Sequence, residues 1–155
     1  MRDGFVKVAA VTPDIRVADV AYNTQNICKM IDETVAKGAK VIVFPELCVT
    51  GYTCSDLFTQ DILLKESKEA LFKIAEYTKE KDAIIFIGVP LAIDGELYNV
   101  AAALNHGEIL GLTTKTFLPN YGEFYEMRQF APGPEACRDI LFDGESVLFG
   151  PQILF

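Results

Sequence analysis

The chain has 155 residues, half of them apolar and 11 % aromatic, which is material for one real core and excludes the disordered class. Its 22 acidic residues outweigh 14 basic ones for a formal charge of −8, and no basic cluster exists to neutralise nucleic-acid phosphates. No secretory leader and no apolar run near the ~20 residues of a membrane helix is visible, and Cys28, Cys48, Cys54 and Cys137 show neither CxxC spacing nor a disulfide-dense pattern, as expected of reduced thiols in a cytoplasmic protein.

The opening MRDGFVKVAAV sets the charged pair Arg2-Asp3 before a β-rich stretch, Phe5 to Val11, that ends at Thr12-Pro13. A helix is predicted over Val17 to Lys37, because Val20, Ile27, Ile31 and Val35 recur on one face and Gly38 supplies a stop. Lys40 to Phe44 (KVIVF) reads as a short buried strand broken at Pro45. Strand, helix and apolar strand in that order favour a parallel pair with a helical crossover.

A second helix is predicted over Asp61 to Lys81, with Leu64, Leu71, Ile74, Ala75 and Thr78 facing inward. Ala83 to Val89 is a further buried strand. The pattern then turns to antiparallel hairpins at Asp94-Gly95, at Asn105-His106-Gly107 between Leu97–Leu104 and Glu108–Thr114, and at Asp143-Gly144. The expected class is α/β, a mixed sheet with helices packed on it. The chain ends on an apolar, strand-like ESVLFGPQILF, which suggests a piece of a larger domain.

Several chemistries have no residues to run on. There is no GxxxxGK[ST] and no GxGxxG, so neither a phosphate loop nor a dinucleotide fingerprint is present. The single histidine, His106, sits in a turn, which argues against a Ser-His-Asp triad or a multi-histidine metal site.

Three places can carry chemistry. Glu46 follows a buried strand and a proline in FPELCVTGY, at the carboxyl end of a strand where open α/β sheets present functional groups. Walled by Phe44, Leu47 and Val49 it should be partly desolvated, with a raised pKa that suits a general base; a surface or capping glutamate is the plain alternative. Lys115 ends the Glu108–Thr114 strand and leads into a loop dense in aromatics, Phe117, Tyr121, Phe124 and Tyr125, where an ammonium beside a carboxylate could stabilise negative charge. Glu123 and Glu126 follow, and either could orient Lys115 or a substrate, or simply be solvated. Cys48 lies close to Glu46, yet a small core thiol explains it better than a nucleophile.

A glutamate in a PEL motif after a buried strand, followed by a lysine at a later strand end, resembles the nitrilase (carbon–nitrogen hydrolase) superfamily. The stretches PELCVTGYTCSDLF, KTFLPNYGEFYEMRQF and FGPQILF resemble in particular the glutaminase domains of glutamine-dependent NAD synthetases, and the likeness covers essentially the whole chain. It implies part of an α-β-β-α sandwich and a Glu–Lys–Cys triad. Glu46 would be the general base, Lys115 the oxyanion stabiliser, and Glu123 the second glutamate that positions the lysine and substrate. Tyr52, Tyr121 and Phe124 would line the glutamine pocket.

The family's nucleophilic cysteine lies beyond the strand after FGPQILF, so the chain is expected to stop before it and to be inert alone. The implied parent passes ammonia to a synthetase domain that uses ATP and Mg²⁺, with no cofactor in this part; a homo-oligomer is expected, and no nucleic-acid or membrane partner. A stand-alone amidase of the same superfamily is the nearest alternative. A non-catalytic α/β interaction module is the other, and it requires Glu46 and Lys115 to be far apart.

Overall fold

A computed structural model describes residues 4–155; Arg2 and Asp3 lie outside the described residues. In chain order the elements are β1 (Val8–Ala10), α1 (Val20–Ala36), β2 (Val41–Val43), α2 (Asp61–Tyr77), β3 (Ile84–Ile93), β4 (Glu96–Asn105), β5 (Glu108–Thr114), β6 (Arg138–Phe142) and β7 (Glu145–Gly150). Two short 3₁₀ segments, Tyr52–Thr59 and Glu126–Arg128, interrupt the loops. The seven strands form one mixed sheet in the order β1-β2-β3-β4-β5-β7-β6. β1, β2 and β3 run parallel, as do β5 and β7, and the other neighbours are antiparallel.

The sheet buries one face. Ile42, Ile85, Ile87, Ala102, Leu104 and Leu112 are fully buried, together with Ile27 and Ile31 of α1 and Leu71 and Ile74 of α2, while the alternate residues Val43 and Ala101 stay exposed. The period of two along the strands and of three to four along the helices thus meet in one helix-covered core. This is the α/β sheet with packed helices that the sequence implied. No helix among the described residues is long and apolar enough to cross a membrane.

The departures from the sequence reading have local causes. β1 shrinks to three residues because it is the sheet edge and Phe5, Val6 and Val8 remain exposed. Helix α1 begins at Val20, not Val17, since Asp19 caps it by accepting the Tyr22 N–H at 3.0 Å. It ends before Gly38, whose φ of +85° supplies the stop that the sequence suggested. Helix α2 ends at Tyr77, because Thr78 folds its N–H and hydroxyl back onto the last carbonyls. Its inner face uses Leu63; Leu64 is only half-buried.

β3 runs on through Pro90 to Ile93. The paired residue Asn99 turns its carbonyl to the Lys115 N–H of the neighbouring segment, so nothing on β4 asks for the missing N–H of Pro90. β2 has already stopped pairing at Phe86, and the proline therefore sits on a free strand edge. The three hairpin turns, Asp94-Gly95, His106-Gly107 and Asp143-Gly144, all place both residues at positive φ, the mirror-image turn that matches strand twist. After β7 the last residues leave the ladder, and the ring of Phe155 packs edge-on against Phe86 at 5.5 Å on the open side of the sheet.

Candidate active site

Glu46 is placed by backbone. Beyond β2, Pro45 ends the strand and residues 45–51 fold into a tight turn, with Cys48 N–H donating to Pro45 O (3.3 Å) and Gly51 N–H to Leu47 O (2.7 Å). Leu47 adopts φ +51°, which costs a side-chain-bearing residue roughly 1–2 kcal/mol. Burial of Leu47 and Val49 in the core offsets that strain. The turn rests directly on Gly88 of β3, where a Cβ would lie 2.3 Å from Pro45 O and 2.4 Å from Leu47 N. Only glycine lets the two main chains approach this closely. With Leu47 and Val49 turned inward, the Glu46 side chain is left outward and 41 % exposed.

Lys115 follows the last residue of β5, its N–H held by Asn99 O at 2.9 Å. Its ammonium donates to Glu46 Oε1 (2.7 Å) and to Glu126 Oε1 (2.8 Å). Glu126 Oε1 also accepts the Tyr52 hydroxyl at 2.8 Å. Asn99 Nδ2 donates to Glu46 Oε1 as well. A hydrogen-bonded chain, Tyr52–Glu126–Lys115–Glu46–Asn99, therefore joins residues from the Glu46 turn, the 3₁₀ segment after it, β4, the end of β5 and the loop beyond. Glu126 is only 5 % exposed, and its Oε2 is buried with no hydrogen-bond partner among the described residues. The polar neighbours of Glu46 are thus Lys115 and Asn99, rather than the apolar walls expected from Phe44, Leu47 and Val49.

Electrostatics set the charge states of Lys115 and Tyr52. Burial on its own would lower the Lys115 pKa, but the hydrogen bonds and charges of Glu126 and Glu46 outweigh it and hold the pKa above the ordinary lysine value. Tyr52 is pushed well up, by burial first and then by its bond to the Glu126 carboxylate, so it remains a neutral donor. The cysteines differ. Burial drives Cys48 to about 12 while its thiol faces Gly88 O at 3.5 Å. Burial and the charge of Asp32 drive Cys28 to about 11, and burial also raises Cys54. None of the four cysteines lines the groove that holds Glu46 and Lys115.

Two cavities flank the Lys115–Glu126 ion pair, one lined by Lys115 and the other by Glu126. One, of about 290 Å³, lies over the open sheet face and is lined by Glu46, Asn99, Lys115, Thr113 and Phe86. The other, of about 250 Å³, is lined by Tyr52, Ser55, Glu123, Phe124, Glu126 and Arg128. Tyr52 and Phe124 meet edge to face at 6.4 Å, as do Tyr121 and Phe124 at 5.8 Å. Tyr121 is exposed, however, and does not line the second cavity.

Of the two glutamates in the loop, Glu126 makes the bond to Lys115, and Glu123 faces the second cavity without an ion pair among the described residues. The separation of Glu46 and Lys115 that an interaction-module reading requires is not found. Asn99 was missed in the sequence, although a lone amide inside the apolar run Tyr98–Leu104 was a visible signal.

Residues 7–153 match the carbon-nitrogen hydrolase family. The chain belongs to that family. Its curated relatives include the glutamine-dependent NAD(+) synthetases of Mycobacterium bovis, 37 % identical over 98 % of this chain, and of Aquifex aeolicus, 42 % identical over 86 %. The chain spans 22 % and 23 % of the length of those two proteins. Among solved structures, a glutamine-dependent NAD(+) synthetase from Cytophaga hutchinsonii superposes with a TM-score of 0.90 at 29 % identity, covering 97 % of this chain and 26 % of that one. The carbon-nitrogen hydrolase fold is thus shared along nearly the full chain.

Proposed function

We propose that this chain is the portion of a glutamine-dependent NAD synthetase that holds most of its glutaminase site, supplying ammonia from glutamine. The observation that carries the reading is the ion pair at 2.7 Å between Glu46 and Lys115, two residues brought together from distant parts of the chain by the Glu46 turn and the end of β5. The thiol nucleophile comes from a segment that follows Phe155, consistent with Cys48 being a buried, neutral core thiol.

Glu46 takes the proton of that thiol, and the sulfur attacks the side-chain amide carbon of glutamine. Lys115 holds the oxyanion as it forms, its ammonium kept charged by two carboxylates. As the C–N bond breaks, Glu46 returns the proton to the leaving ammonia. It then deprotonates water, which attacks the thioester and releases glutamate and the thiol. Glu126 is the carboxylate that holds Lys115; Glu123, with Tyr52 and Phe124, faces the neighbouring cavity where the rest of the substrate sits, and Tyr121 supports Phe124 from outside. In this reading a synthetase part elsewhere in the parent consumes the ammonia with ATP and Mg²⁺, in a cytoplasmic homo-oligomer.

The test is ammonia release from glutamine by the full-length gene product, by its Glu46→Gln and Lys115→Ala variants, and by the 155-residue chain. Loss of ~10²-fold or more in both variants and no turnover by the chain alone support the reading. Turnover by the chain alone makes one of its own cysteines the nucleophile and overturns it.

A further inference from the structure

Glu46 uses its two oxygens unequally. Oε1 accepts both the Lys115 ammonium and the Asn99 amide, while Oε2 accepts nothing among the described residues. The Asn99 side chain comes from the middle of β4, and Asn99 is only 4 % exposed, in a strand segment that otherwise packs Tyr98, Val100, Ala102 and Leu104. A buried amide in such a place is costly unless it has a specific partner. Its partner is the outward, otherwise adjustable carboxylate of Glu46. The same residue's carbonyl takes the Lys115 N–H at 2.9 Å, so one position of β4 fixes both the lysine's backbone and the glutamate's head.

We propose that Asn99 is a positioning residue that pins Oε1 of Glu46, so that Oε2 alone is the basic oxygen presented to the groove. Lys115 by itself cannot do this. A single donor leaves a carboxylate free to rotate about the terminal side-chain torsion, whose energy profile is broad. A second donor from a rigid central strand, aimed at the same oxygen, removes that freedom. The geometry also explains why an amide occupies position 99. A second carboxylate would repel Glu46, a second cation would compete for it with Lys115, and an apolar side chain would leave its head unanchored.

The inference rests on the reading of Glu46 as the base, and the experiment separates the two. In the full-length gene product, glutamine-supported and ammonia-supported synthesis are measured for Asn99→Leu, Asn99→Asp, Glu46→Gln and Lys115→Ala. Asn99→Leu is expected to lower the glutamine-supported kcat by roughly 10–100-fold with KM within about twofold, a share of the ~10²–10⁴-fold that a placed base supplies. The ammonia-supported rate, which does not pass through Glu46, should hold. Asn99→Asp should be impaired at neutral pH and regain rate as the pH falls, because the introduced carboxyl, once protonated, can again donate to Oε1; the charged groups facing it are Glu46 and Lys115, with Glu126 beyond.

An unchanged kcat in Asn99→Leu, beside inactive Glu46→Gln and Lys115→Ala, overturns the role of Asn99 and leaves the proposed function standing. A rise in KM alone, or loss of both glutamine- and ammonia-supported rates, also overturns it, by assigning Asn99 to substrate contact or to packing. Full activity in Glu46→Gln overturns the proposed function itself.

Discussion

Replacing Glu126 by Gln removes a charge while keeping the shape of the side chain and an acceptor for the Tyr52 hydroxyl. The Lys115 ammonium then loses one of two carboxylates, the one at 2.8 Å, and keeps Glu46 at 2.7 Å. An opposite charge at ~4 Å is worth about 4 kcal/mol at the effective dielectric of a protein surface, before solvent screening. Lys115 is 28 % exposed, so part of that is screened, and its pKa is expected to fall back toward the ordinary lysine value. A lysine held above its unfolded value contributes stability that is whole below the unfolded pKa of about 10.4, and that is lost as pH climbs through the folded pKa.

The difference in unfolding free energy between wild type and Glu126→Gln should therefore be full at pH 7–9 and shrink as Lys115 discharges in strong alkali. Urea unfolding at a series of pH values gives that difference, and ¹³C NMR of the lysine ε-carbons gives the Lys115 midpoint directly. If the midpoint is the same in both proteins and the stability difference is flat with pH, the Glu126 charge does not hold Lys115, and the electrostatic account of the site is wrong.

Two further outcomes follow from the geometry. Gly88→Ala drives a Cβ into Pro45 O and Leu47 N, so the turn must lift; about 1–3 kcal/mol of destabilisation in urea is expected, with a loss of the proposed glutaminase activity larger than that of Asn99→Leu. Cys48, neutral up to about 12, should resist iodoacetamide in the native protein at pH 8 and react once unfolded; mass mapping of the alkylated peptides reads this, and native labelling would contradict its burial.

The parts legible in the sequence were those decided locally. The Asp-Gly and His-Gly turns needed positive φ at consecutive positions, and the residues themselves announce it. The parallel opening and the mixed sheet followed from short apolar runs separated by amphipathic helices. Glu46 and Lys115 were visible because each follows a strand.

What was hidden depended on partners far along the chain. Glu123 and Glu126 lie in one irregular loop, and no periodicity says which turns inward; the 3₁₀ turn at Glu126–Arg128 and the Tyr52 hydroxyl decide it. Asn99 gained meaning only when β4 was set beside the Glu46 turn. The choice of Leu63 over Leu64 was a one-residue rotation of α2, which the apolar pattern alone did not fix.

The loop after β5 leaves and returns at one point. Gly133 N–H donates to Lys115 O at 2.9 Å, and the lack of a side chain at Gly133 lets it lie against Thr114. The lysine thus stands at a closed neck, while Tyr121, Gly122 and Glu123 lie at the tip of the loop beyond it. Length at the tip is cheap, since each doubling of a flexible loop costs only ~0.6 kcal/mol. The neck fixes the lysine's main chain beside Asn99, so residues can be added at the tip without moving it.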